Sequence, residues 1–135
     1  MAWFDWDETF VTGIAEIDEQ HHRLVALIDQ FYGQMRTTEP QAGLVRLLRG
    51  VLEYTRTHFA AEEGWMRQYS YPGLEAQIAQ HTHFVEKVQN VTDRFIRGEL
   101  VLSLEVTGFL RDWLAHHILG MDKEMGRFLA ARGAR

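Results

Sequence analysis

Apolar residues recur every three or four positions along four stretches of the chain, the period of one face of an α-helix. These stretches cover about residues 18–36, 40–70, 74–97 and 103–128. No useful length of sequence alternates with the period of two that a half-buried strand shows. Short connections between four amphipathic helices predict an all-α fold, an antiparallel up-down-up-down four-helix bundle.

The segments that flank the first two helices add local detail to this prediction. Thr38 and Gln41 have the spacing of a capping box for the second helix, with Pro40 in its first turn, where the missing N–H does no harm. Before the first helix the sequence has no steady period, and we expect an N-terminal aromatic strap that lies over the core. Its aromatic residues are Trp3, Phe4, Trp6 and Phe10.

Composition narrows the class of protein. The chain has 135 residues, of which 46% are hydrophobic and 24% charged, with two prolines, so we expect one globular unit, a single domain over residues 1–135. A net charge of −5 without a basic stripe argues against a nucleic-acid partner. The absence of cysteine excludes disulfides, thiolate nucleophiles and thiolate-bound metals. The N-terminus is acidic, unlike a signal peptide, and the sequence contains no apolar run long enough to span a membrane. We therefore expect a cytoplasmic protein that does not insert into membranes, and we expect a monomer.

Four of the seven histidines fall on the apolar helical stripes, one on each helix: His21, His58, His81 and His117. Glu62 follows His58 by four residues and therefore points the same way. A single histidine on an apolar face is usually a hydrogen-bonded core residue. Four of them with a buried carboxylate, which is costly to bury unless it is paired or bound to metal, favour a metal site.

The other three histidines point away from these stripes. His83 lies two residues from His81, and His116 is about 100° from His117 around the helix. His22 is about 100° from His21, although a slip in register near the start of the first helix would exchange the two. The choice between His21 and His22 therefore stays open at this point.

Imidazole and carboxylate donors suit iron, manganese or zinc. One ion with four histidines and a glutamate is crowded, whereas two ions need a second carboxylate that bridges them. Asp122 is the natural candidate, five residues after His117. Five residues leave about 140° on an ideal α-helix, so Asp122 reaches the site only if the helix loosens, which Gly120 permits.

An ordered set of short motifs along the whole chain resembles the hemerythrin family, specifically its single-domain bacterial members. The set is Gly13-Ile14, Ile17-Asp18-Glu19-Gln20-His21, His58-Phe59, Glu62-Glu63, Met66, Tyr71-Pro72, His81, Phe84, Trp113-Leu114, His117-Ile118 and Asp122. The resemblance implies a four-helix bundle around two non-heme iron ions (Fe2+/Fe3+) with an oxo or hydroxo bridge. It implies reversible dioxygen binding, for oxygen transport, storage or delivery, with an oxygen-consuming enzyme as a candidate partner.

Carried over residue by residue, the resemblance assigns the iron ligands. His21 and His58 hold one iron, His81 and His117 hold the other, and the carboxylates of Glu62 and Asp122 bridge the two ions. The family pattern has a further histidine four residues before His81, and here that position is Gln77. The sequence leaves three roles open for Gln77. It coordinates iron through its amide oxygen, it holds a water molecule on that iron, or it is a substitution that weakens the site.

The resemblance also implies a dry dioxygen pocket beside the iron held by His21 and His58. Its walls match Leu24, Phe59, Trp113, Leu114 and Ile118, which ordinary core packing explains equally well.

Three other functions are alternatives to an oxygen-binding protein that is not an enzyme. A spare coordination position next to Gln77 suits a di-iron peroxidase or oxidase, but no residue resembles a dedicated proton donor. A ferritin-like oxidase needs two Glu-x-x-His pairs, and only Glu19 and His22 have this spacing. An oxygen- or redox-sensing module requires a separate signalling partner, which the sequence does not reveal.

Overall fold

The structure, a computed structural model, describes residues 7–34, 40–98 and 103–135. The described residues form a 3₁₀ turn, Glu8–Phe10, and the helices α1 (Ala15–Gln34), α2 (Pro40–Gln68), α3 (Leu74–Ile96), α4 (Ser103–His117) and α5 (Lys123–Ala131). A π-helical turn, Ile118–Asp122, joins α4 and α5 into one continuous rod. The all-α class and the four main helices are confirmed.

Hydrogen bonds between neighbouring helices show that α2 runs opposite to both α1 and α3. Between α1 and α2, the Trp65 indole donates to Glu16 and the Tyr54 hydroxyl donates to the Gln20 carbonyl, so the contact moves backwards along α2 as it moves forwards along α1. Between α2 and α3, the same reversal relates the pairs Arg56–Gln89 and Glu63–His81. This is the antiparallel order that the short connections predict.

The start of α1 lies three residues before the expected one at Asp18, and local hydrogen bonds explain the difference. The Asp18 carboxylate accepts hydrogen bonds from both the backbone N–H and the hydroxyl of Thr12. The Thr12 hydroxyl oxygen in turn accepts from the Ile14 N–H, which caps an otherwise unsatisfied donor at the helix start. Gly13 makes this tight turn with a φ of 93°, a value that suits glycine.

The ends of α2 agree with the sequence expectation. Pro40 is its first residue, and it ends shortly before Tyr71. The predicted cap Thr38 lies outside the described residues. So do Trp3, Phe4 and Trp6 of the aromatic strap, which stays a prediction, while Phe10 is buried in the core.

Two apolar clusters fill the bundle, one toward each end. On α1 the smaller cluster contributes Ile14 and Ile17, and the larger cluster contributes Leu24 and Ile28. His21 falls between them, and the other helices repeat this order of apolar, polar and apolar residues. The fold therefore places a thin polar layer across the bundle, with apolar packing on both sides. Among the described residues, no helix is long and apolar enough to cross a membrane.

Candidate metal centre

Six side chains with metal-binding atoms meet in the polar layer of the bundle. α1 supplies one, α2 supplies two, α3 and α4 supply one each, and the π-helical turn supplies the last. They are His21, His58, Glu62, His81, His117 and Asp122, and each is at most 5% exposed. The structure thus brings together the histidines and carboxylates that the sequence singled out, while their role as ligands stays a prediction.

Glu62 lies at the middle of this layer. Its Oε2 atom is 3.3 Å from His21 Nε2 and 3.5 Å from His58 Nε2, and its Oε1 atom is 3.2 Å from His81 Nε2. The two oxygens of one carboxylate therefore face imidazoles from opposite sides of the bundle. This is the arrangement that a bridging carboxylate requires.

Asp122 spans the layer in the same way. Its Oδ1 atom is 3.2 Å from His117 Nε2, and its Oδ2 atom is 3.1 Å from His21 Nε2. Its position depends on the π-helical turn, whose i→i+5 bonds bring residues five apart onto nearly the same face. The spacing of His117 and Asp122 required a looser helix between them. The π-helical turn provides it, and Gly120 lies within this turn.

The donor atoms divide into two overlapping groups, within each of which all atoms lie less than 4.8 Å apart. One group contains His21, His58 and Glu62; the other contains Glu62, His81, His117 and Asp122. Glu62 belongs to both groups, and Asp122 reaches from the second group to His21. Buried imidazole nitrogens and carboxylate oxygens in this pattern suit a pair of borderline or hard divalent cations.

Gln77 lies directly beside the donor atoms. It is 1% exposed, and its amide Nε2 donates to Asp122 Oδ1 over 3.1 Å. Its Oε1 atom is buried without a hydrogen-bond partner among the residues that the structure describes. The amide nitrogen thus secures the Asp122 carboxylate, and the amide oxygen stays available to a cation or to a water molecule.

The imidazoles and carboxylates of the layer stabilise each other's charged forms. Burial by itself would lower the pKa of the His21 imidazole, but its contacts with the carboxylates of Asp122 and Glu62 raise that pKa to about 10. Burial would raise the pKa of Asp122, but the imidazoles of His117 and His21 hold it well below its usual range. The neighbouring imidazoles lower the pKa of Glu62 in the same way, so both carboxylates are ionised at neutral pH and require positive charge close by.

Two of the imidazoles have polar partners on their outer side. His58 Nδ1 lies 2.6 Å from Gln20 Oε1, and His81 Nδ1 lies 2.9 Å from Glu63 Oε2. Such partners fix which ring nitrogen carries the proton, so Nε2 is left to face the centre. Sequence reasoning did not identify Gln20 and Glu63 in this role, because helical periodicity describes the face of one helix and both partners act across to another.

Aromatic and aliphatic side chains cover the centre. Phe59 stacks on His81 with ring centroids 3.9 Å apart, and Trp113 stacks on His117 at 4.4 Å. The five residues predicted to wall a pocket pack in or against the larger cluster, and Trp113 alone among them is only half-buried. They are Leu24, Phe59, Trp113, Leu114 and Ile118.

The remaining histidines lie away from the centre. His22, His83 and His116 are exposed, so the choice between His21 and His22 is decided in favour of His21 as the residue that reaches the layer. Glu19 is exposed as well, which removes Glu19 and His22 as the beginnings of a ferritin-like site.

A family profile matches this combination of fold and buried donors. The profile described as "Hemerythrin HHE cation binding domain" matches residues 12–129. The chain belongs to the hemerythrin family. Most of the sequence lies within the hemerythrin match, including the six donor residues and the buried residues of both apolar clusters other than Phe10 and Ala134.

Individual hemerythrins support the same assignment. A bacteriohemerythrin of Stenotrophomonas maltophilia (strain R551-3) is 32% identical over 123 residues, which cover 91% of this chain and 79% of the relative. The bacteriohemerythrin of Methylococcus capsulatus is 28% identical over 132 residues, covering 97% of this chain and all of the relative. A crystal structure of wild-type hemerythrin superposes with a TM-score of 0.88 at 26% identity, covering 96% of this chain and 99% of that one.

Proposed function

We propose that this hemerythrin-family chain holds two non-heme iron ions in its polar layer and binds dioxygen reversibly, as an oxygen carrier or store. The observation that supports the proposal is the convergence of four imidazoles and two ionised carboxylates, all buried, in two overlapping donor groups. His21 and His58 would hold one ion, His81 and His117 the other, and Glu62 and Asp122 would bridge them. When bound, the ferrous pair supplies the two electrons that dioxygen accepts.

The donor residues fit such a pair of ions. Six hard or borderline donors are present without any thiolate, which suits iron in both of its common oxidation states. The buried charges of Glu62 and Asp122 call for cations, since unpaired carboxylates are costly in an apolar interior. Gln77 stands beside the His81 and His117 half, and its amide oxygen would complete that half directly or through a water molecule.

The residues around the centre would make binding reversible by excluding water and external reductants. Leu24, Leu114 and Ile118 are almost completely buried, and the Phe59 ring closes the side of His81. A dry, apolar lining would offer no ready proton donor at the centre, which favours reversible binding of a ligand. This lining favours a carrier over a di-iron peroxidase or oxidase, which needs a proton supply at the reacting atoms.

We further propose that residues 1–135 act as one hemerythrin-like domain and as a monomer. Among the described residues, the large apolar side chains with substantial exposure are Val11, Ile96 and Leu119. So few exposed apolar side chains in this part of the chain are normal on a monomeric protein. Light scattering on the purified chain should give a mass close to 15.7 kDa.

The decisive experiment measures iron content per chain together with the visible spectrum of the reduced protein, before and after exposure to air. Two irons and a visible band that appears in air and disappears when oxygen is removed are the expected result. Irreversible oxidation, or steady peroxide turnover with a reducing dye that exceeds that of a Gln77→His variant, would replace the carrier with a di-iron enzyme. An oxygen-dependent change that required a second protein would point to a sensor.

A further inference from the structure

Glu63 is a carboxylate at the rim of the centre that the proposed ligand set does not use. Its Oε2 atom accepts a hydrogen bond from His81 Nδ1 over 2.9 Å, while Oε1 lies 3.9 Å from Arg67 at the surface. His81 Nε2 points inward, 3.2 Å from both Glu62 Oε1 and His117 Nε2. The Glu63 carboxylate therefore favours a proton on the outer nitrogen of His81, and the inner nitrogen is the one that faces the other donor atoms.

In the other half, the outer partner of the imidazole carries no charge. His58 Nδ1 faces the neutral amide oxygen of Gln20. A carboxylate partner orients an imidazole and raises its basicity as a metal ligand, and its charge-assisted hydrogen bond is about twice as strong as a neutral one. Of these two imidazoles, His81 is thus the better prepared donor.

Access from solvent does not distinguish the two halves. Glu63 and His81 border a surface cleft of about 270 Å³, and Gln20 and His58 border one of about 290 Å³. The two bridging carboxylates do not distinguish the halves either, since Glu62 and Asp122 each contact imidazoles of both. The charged outer partner of His81 is therefore the feature that favours its half.

We propose that Glu63 is a positioning residue that makes the His81 and His117 half the tighter of two cation sites. Cations then enter in a fixed order, first between His81 and His117 and afterwards between His21 and His58. This inference rests on the proposed two-cation centre, but it does not depend on dioxygen binding.

The test is a titration of the chelator-treated full chain with Co²⁺ in the absence of air, followed by visible absorption. The wild-type protein should bind two ions in two steps whose affinities differ by at least about tenfold. Removal of one imidazole assigns the steps: His117→Ala should weaken the tighter step most, and His58→Ala should weaken the looser step most.

The decisive variant is Glu63→Gln, which keeps the size and one acceptor oxygen but removes the charge. Its tighter step should weaken by about 10- to 100-fold, while the looser step changes by less than about threefold. Gln20→Glu is the matched change in the other half, and it should strengthen the looser step. Thermal unfolding of each chelated variant checks that the fold is intact, so a loss confined to one step reports the cation site alone.

Three results would overturn the inference: equal affinities for both ions in the wild-type protein, no change in Glu63→Gln, or an equal loss in both steps. Binding of fewer than two cobalt ions would overturn the two-cation centre as well. Ordered binding of two cobalt ions by a chain whose iron form does not bind dioxygen reversibly would leave this inference standing and remove only the proposed function.

Discussion

Replacing Glu62 by glutamine removes the charge at the middle of the buried layer while it keeps the size of the side chain. Glu62 is completely buried, and its carboxylate lies 3.2 to 3.5 Å from the imidazoles of His21, His58 and His81. Burial and the neighbouring charge of Asp122 would raise the pKa of Glu62, but these imidazoles hold it below its usual range. The carboxylate is therefore ionised and paired, and the variant removes one of the two carboxylates that face His21.

The size of the effect follows from these contacts. Breaking a buried ion pair by removal of one partner costs about 3–5 kcal/mol. Asp122 still faces His21 at 3.1 Å, so we expect a loss near the lower end, about 3 kcal/mol. For a domain of this size that corresponds to a decrease in melting temperature of about 10 °C.

The assay is thermal unfolding of the chelated protein, measured by circular dichroism at neutral pH. Glu63→Gln is the matched control, since it makes the same change one residue further along α2 in a side chain that is 19% exposed. It should cost less than about 1 kcal/mol. If Glu62→Gln melted within 2–3 °C of the wild-type protein, or if both variants lost stability equally, the assignment of the central charge to Glu62 would be wrong.

Four further outcomes follow from the structure. Gln77→His should strengthen the binding of one cation by about tenfold, about 1.4 kcal/mol, in a metal competition assay; unchanged affinity would argue against this position as a ligand position. Leu114→Ala should lower the free energy of unfolding by about 2–5 kcal/mol and speed autoxidation of the oxygenated iron form, because it opens a cavity in the dry lining; an unchanged autoxidation rate would remove its gating role. Gly126→Ala should lower the melting temperature, because its Cβ atom would lie 2.2 Å from the Thr12 carbonyl oxygen; a stability equal to that of the wild-type protein would contradict this close approach. Since the raised pKa of His21, about 10, keeps it protonated at pH 7 until a cation displaces the proton, metal uptake should release at least one proton per chain and the apparent affinity should rise with pH; calorimetry in buffers of different ionisation enthalpy measures this release.

The sequence predicts the helices and the inward faces well because both follow from periodicity within one helix. His58 and Glu62 share a face by their spacing alone, and the structure buries both. The helix ends differ by a few residues where side chains close a turn, as Thr12 and Asp18 do before α1.

The outer partners of the imidazoles could not be predicted in the same way. Gln20 and Glu63 stand next to donor residues in the sequence, but each contacts an imidazole on a neighbouring helix. Such a contact depends on the relative height and rotation of two helices, which periodicity does not specify. Asp122 is an intermediate example, because its spacing from His117 showed that an irregular turn was needed without showing its form.

The π-helical turn at Ile118–Asp122 also sets the rotation of everything that follows it. If the same five residues were wound as regular α-helix, each later side chain would change direction by about 100°. Asp122 would then turn away from His117 and, at the same moment, Met125 would rotate out of the apolar packing at that end of the bundle. A single backbone irregularity thus links the chemistry of the chain to its solubility, because a molecule that lost it would expose apolar side chains to water as well as lose a carboxylate from the polar layer.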